Sequence, residues 1–165
     1  MPDQELPSKP PWPEETGIWA TYPMHCHCGA IRYNMKISPP LFEEQAEGKG
    51  VYPVTSCNCS YCERTGYLTV HPRAENVTFT QGLEYRSEYL TGNKMCPLWF
   101  CNKCSSSLGA DITAVMKKTG GPLRYGLNVR MLKDVDMKKF RIKELTFMKD
   151  MPPVYDIGPA EGGHA

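Results

Sequence analysis

The chain has 165 residues, a usual size for one domain; 41% of them are apolar, and no apolar run approaches the ~20 residues of a membrane helix. Its 19 basic and 18 acidic side chains leave a formal charge of +1, so neither nucleic acid nor an anionic membrane is expected as a partner. The opening residues, MPDQELPSKPPWPEE, put acids and prolines where a secretory leader needs an apolar stretch, and a cytoplasmic protein is expected.

In chain order, residues 1–20 are expected as a flexible Pro-rich arm, 21–149 as the domain and 150–165 as a flexible tail. From Tyr22 the signals are β, and Ala30–Ile37 alternates apolar and polar residues until Pro39-Pro40 stops it. Phe42–Gly50 reads as a polar connection, after which a strand from Val51 leads into a cluster of cysteines. Tyr67–Val70, Val77–Thr80, Glu84–Leu90, Met95–Phe100 and Leu123–Val129 follow as strands, with turns at Gln81-Gly82 and Thr91-Gly92-Asn93. One short helix is expected over Asp134–Phe140, with Asp134 as its cap. Short strands between turn signals make a mainly β domain with little helix. Tyr85, Tyr89, Trp99 and Phe100 read as core or sheet-face residues.

The eight cysteines carry the chemical signal. Without a leader they stay reduced, and their clustering favours metal ligation over disulfides. Cys101-Asn102-Lys103-Cys104 has the Cys-x-x-Cys form that curls a backbone around a metal, and Cys26-His27-Cys28-Gly29 is a narrower bite in which Gly29 lets the chain turn. Two such pairs make a closed four-sulfur site that crosslinks distant segments. Cys57-Asn58-Cys59-Ser60-Tyr61-Cys62 supplies three sulfurs from six residues. Either that trio keeps its fourth position for water or substrate, or Cys96 closes it; spacing does not decide, nor does it say which pair joins which.

The strings Cys26-His27-Cys28-Gly29-Ala30-Ile31-Arg32, Cys57-Asn58-Cys59-Ser60-Tyr61-Cys62 with Gly66, and Phe100-Cys101-Asn102-Lys103-Cys104 resemble the glutathione-dependent formaldehyde-activating enzyme family, which also contains centromere protein V. The resemblance runs from about Tyr22 to Val129. It implies a β-tent, small antiparallel sheets around a structural zinc held by Cys26, Cys28, Cys101 and Cys104. It implies a second, catalytic zinc on Cys57, Cys59 and Cys62, hence two Zn²⁺ per chain, with glutathione as co-substrate of a carbon–sulfur lyase type of reaction. Two positions depart from the family pattern: Asn58 stands where His is usual, and Ser105 where Gly is usual.

Three thiolates on Zn²⁺ leave a net charge of −1, a weak Lewis acid for activating water but a good acceptor of a further thiolate. A small-molecule thiol or thiol adduct is therefore the expected partner; the oligomeric state, homodimer included, stays open. Among neighbouring side chains, Arg64 is a candidate for a substrate carboxylate and His71 for moving a proton. Tyr61 is read as a donor or as packing over the metal, His25 and His27 as solvent-facing or as supports of the ligands, and Cys96 as a spare thiol. The alternative function is a non-enzymatic β-tent module that binds a protein partner, with both zincs structural.

Overall fold

A computed structural model describes residues 10–42 and 51–158. The connection expected over Phe42–Gly50 falls almost wholly outside these, as do the first part of the arm and the end of the tail.

The fold is mainly β, in two sheets. β1 (Ala20–His25) and β2 (Arg32–Ile37) pair antiparallel, and β5 (Val77–Gln81) adds to β2. Alternation in β2 is strict: Tyr33, Met35 and Ile37 are buried, while Arg32 and Lys36 are exposed.

The second sheet has seven strands. It uses β3 (Val54–Cys57), β4 (Thr69–Val70), β6 (Arg86–Tyr89), β7 (Leu98–Cys101), β8 (Ser107–Asp111), β9 (Tyr125–Asn128) and β10 (Ile142–Leu145), in the order β10-β3-β4-β9-β8-β7-β6. Its pairs are antiparallel except β10 on β3. This sheet is larger than expected, and it curls. Tyr61, just beyond β3, stacks on Tyr89 of the far edge strand β6 with ring centroids 5.8 Å apart. The core lies between the sheets, built from Met24, Tyr33, Met35, Val54, Trp99 and Leu127 among others.

Two helices interrupt the strands. α1 (Ser60–Thr65) lies inside the middle cysteine cluster, where no helix was expected, and α2 (Thr113–Thr119) follows β8. The helix expected over Asp134–Phe140 is only a 3-10 turn at Met137–Lys139, capped by Asp136 rather than Asp134.

The described part of the arm hugs the body. Glu15 accepts two hydrogen bonds from Arg73, at 2.6 and 3.0 Å, and Trp12 packs on the His71 ring at 5.2 Å. In the tail, Tyr155 lies beneath the Arg64 guanidinium at 5.5 Å. No helix among the described residues is long and apolar enough to cross a membrane.

Candidate metal centres

The first cluster joins the two sheets. Cys26 and Cys28 lie in the turn between β1 and β2, Cys101 ends β7, and Cys104 closes the turn towards β8. That turn at Cys26–Gly29 is closed by Gly29 N–H donating to the Cys26 carbonyl at 3.0 Å, with Gly29 at φ +75°. The four Sγ atoms lie within 4.8 Å of one another, Cys26–Cys28 at 3.6 Å and Cys28–Cys101 at 3.9 Å. Thiolates ~2.3 Å from one ion at tetrahedral corners stand ~3.8 Å apart, whereas a disulfide brings sulfurs to ~2.05 Å. The spacing fits a shared metal ion, and all eight cysteines are free thiols.

Backbone and hydroxyl donors point at these sulfurs. Ile31 N–H donates to Cys26 Sγ at 3.3 Å and Lys103 N–H to Cys101 Sγ at 3.4 Å. Ser106 Oγ stands 3.2 Å from Cys104 Sγ while accepting the His27 N–H at 2.9 Å. Burial opposes ionisation of Cys104, but the Ser106 hydroxyl and backbone donors outweigh it and draw its pKa down to about 5. Burial raises the Cys101 thiol to about 11. Ser106 had no signal in the sequence beyond its place two residues after a cysteine pair. His25 turns its Nδ1 to the Cys26 carbonyl at 2.8 Å, and neither His25 nor His27 joins the sulfurs.

Ser105 occupies the left-handed region at φ +64°, where its N–H donates to the Cys101 carbonyl at 2.8 Å. A side chain is strained there and glycine is not. Ser105→Gly is expected to raise stability by about 0.5–1 kcal/mol without changing metal content, read as a urea midpoint shift. A variant less stable than the parent would show that the Ser105 side chain contributes something its backbone strain hides.

The second cluster is local in sequence. Cys57 ends β3, Cys59 is the N-cap of α1, and Cys62 lies in the first turn, with the three Sγ atoms within 4.8 Å of one another. Cys59 N–H donates to Cys57 Sγ at 3.4 Å and Cys62 N–H to Cys59 Sγ at 3.3 Å. Contacts from the Cys57 and Cys62 thiols hold Cys59 far below the usual thiol range, and the same contacts push Cys57 and Cys62 up. Three sulfur donors this close together fit a thiophilic metal, whose binding would release the thiol protons.

Among the described residues no fourth His, Cys, Asp or Glu joins this trio. Cys96 stands apart as a half-buried thiol, its pKa raised by burial and by the Asp111 carboxylate. The closed-site alternative with Cys96 as ligand therefore finds no geometric support.

No protein-family model matches the chain, and no curated protein does. A crystal structure of a Rhodobacter sphaeroides protein, a structural-genomics target, superposes with a TM-score of 0.52 at 22% identity, covering 73% of this chain and 99% of that one. The likeness is one of fold.

The surroundings of the trio revise several expectations. Asn58 is half-buried and engaged by its neighbours: its Nδ2 donates to the Thr146 carbonyl at 2.6 Å, and its Oδ1 accepts the Lys149 N–H at 3.2 Å. With Asn58 N–H on the Leu145 carbonyl at 3.0 Å, the residue extends the β3–β10 pairing and clamps the segment beyond it. Tyr61 packs edge-on against Tyr67 at 5.4 Å and stacks on Tyr89, so it forms a wall of the site. Arg64 lies two residues past Cys62, about 200° round α1, and is exposed on the face away from the sulfurs.

His71 is not a proton carrier for the trio. Thr55 pairs with Thr69 across the antiparallel β3–β4 ladder, which sets Tyr67 level with Cys57 and His71 at the other end, ~13 Å away. There it is half-buried beside Trp12 and Arg124, with Nδ1 sealed from solvent and no hydrogen-bond partner for it among the described residues. Burial, then the Arg124 charge, lowers its pKa from 6.5 to about 4. Between those values the unfolded chain takes up a proton that the folded ring refuses, so stability falls as pH drops from 6.5 towards 4 and this contribution is flat above. His71→Gln is expected to lose roughly 1–2 kcal/mol less than the parent between pH 7 and pH 5 in urea unfolding. Identical pH slopes would refute the assignment.

Proposed function

We propose that the chain is a two-zinc protein whose trio site performs carbon–sulfur chemistry on a thiol adduct of an aldehyde, as in the glutathione-dependent formaldehyde-activating reaction. Cys26, Cys28, Cys101 and Cys104 would hold one zinc as a crosslink, and Cys57, Cys59 and Cys62 the other. At the second site zinc would supply a thiophilic position at which an incoming thiol loses its proton.

The observation that carries this reading is the convergence of three Sγ atoms with no fourth donor among the described residues. A closed structural site uses four protein ligands; three with room for a visitor is the catalytic pattern. The chain's own groups serve such a role. The N–H groups of Cys59 and Cys62 fix the negative charge of the trio in place. Tyr61, Tyr67 and Tyr89 pack into an aromatic wall, and the buried Tyr67 is locked by donating to the Gly109 carbonyl at 3.0 Å.

Zinc-edge X-ray absorption during a glutathione titration tests the reading. Sulfur coordination averaged over both metals is expected to rise from about 3.5 to about 4 per zinc. An unchanged shell at saturating thiol overturns it.

A further inference from the structure

The trio, loaded with a divalent metal, carries a net negative charge, and a thiolate arriving there adds another. A thiol that also bears carboxylates therefore needs a cation nearby. Three of the seven arginines are committed elsewhere. Arg73 is paired with Glu15, Arg124 lies over Trp12 with Glu15 at 3.8 Å, and Arg86 lies 4.1 Å from the Trp99 ring centre. Arg64 is on the wrong face of α1.

Arg130 differs. Its Nε donates to the Gly66 carbonyl at 2.7 Å, which fixes the guanidinium at the C-terminal end of α1. Gly66 N–H in turn bonds the Cys62 carbonyl at 2.9 Å, so the residue that anchors the cation lies one helical turn, ~6 Å along the axis, from Cys62. No acidic group among the described residues pairs with Arg130, and Nη1 makes a long contact of 4.0 Å with the Met137 sulfur. Sheet register gives the same placement. Thr69 pairs with Thr55 on one side and Asn128 on the other, and the ladder continues through Val129 N–H to the Leu68 carbonyl at 2.8 Å. Arg130 follows β9 in the 3-10 turn at Val129–Met131, which keeps it beside the segment leading from α1 into β4.

We infer that Arg130 is the carboxylate anchor of the trio site. The inference rests on the reading of the trio as a thiol site. The fixed Nε contact leaves Nη1 and Nη2 to a carboxylate, the geometry in which arginine exceeds lysine.

Protein loaded with Co²⁺ reports thiol binding through its sulfur-to-metal absorption, independent of turnover. The probes are glutathione and its diethyl ester, which has the same thiol with both carboxylates masked. The parent protein is expected to bind glutathione about tenfold more tightly than the ester. Arg130→Gln should remove that difference by weakening glutathione alone, and Arg130→Lys should restore part of it. Two cobalt ions per chain in each variant confirm an intact fold. Equal effects on both probes, or none, overturn the role of Arg130 and leave the thiol site standing. No thiol-dependent band in the parent overturns the thiol site and this inference together.

Discussion

Cys101→Ser is expected to cost the protein one bound metal and much of its stability, whereas Cys62→Ser costs one metal and little stability. The two clusters offer similar sulfurs and differ in what they tie together. Cys28 and Cys101 are 73 residues apart, one beside the three-stranded sheet and one in the seven-stranded sheet. A metal there closes a long loop and clamps the sheets around the core, and structural zinc contributes on the order of 10 kcal/mol to folding in small metallo-domains. Cys26 and Cys101 are fully buried, so loss of the ion also leaves enclosed thiols that must be protonated without partners. The trio spans residues 57–62 within one turn, already held by the N-cap bond to Cys62 N–H and by Gly66 at the helix end. Losing its ion opens no long loop. Native mass spectrometry should find one metal in each variant. Thermal unfolding should fall by at least about 10 °C for Cys101→Ser and by less than about 5 °C for Cys62→Ser. Equal destabilisation by both would show that the trio is a second structural clamp.

How much of this was legible beforehand depends on how local each feature is. The sulfur clusters were, because each pair or trio is a few residues long and the chemistry of thiolates is independent of the fold. β2 and β5 were, because Tyr33, Met35 and Ile37 alternate against exposed neighbours and Val77–Gln81 does so more weakly. β8 was not: Ser107–Asp111 has small residues and no alternation, and its place comes from pairing with β7 and β9. β10 is a charged, exposed edge whose strand character comes only from lying parallel on β3. The helix inside the trio was hidden because its N-cap is a cysteine thiol, an unusual acceptor for that role. His71 misled for the opposite reason. It is close to Cys62 in sequence, but the antiparallel ladder carries it to the far end of the sheet. Arg130 left no signal, since only the β4–β9 register brings it to the end of α1.

A methyl group at residue 82 is expected to be as damaging as a lost ligand, by a mechanical route. Gly82 adopts φ +75°, and a Cβ there would lie 1.9 Å from the Ala30 carbonyl oxygen and 2.7 Å from its carbon. Both are backbone atoms, so no rotamer change relieves the overlap. The strand must move. Ala30 and Ile31 form the outgoing arm of the Cys26–Cys28 turn, and Ile31 N–H is the donor to Cys26 Sγ. Displacing that arm pulls on the metal cluster as well as on the β2–β5 pairing, which is already irregular between Arg32 and Tyr33. Gly120 serves as the control, with φ +76° and nothing within 4 Å of its would-be Cβ. Gly120→Ala therefore carries the conformational penalty alone, about 1 kcal/mol. Gly82→Ala is expected to cost more than about 3 kcal/mol in urea unfolding and to speed chelator-driven loss of one metal, while the second is lost at the parent rate. Matching costs for the two substitutions would mean that the Ala30 arm yields freely, and that the four-sulfur cluster is not braced from the β5 side.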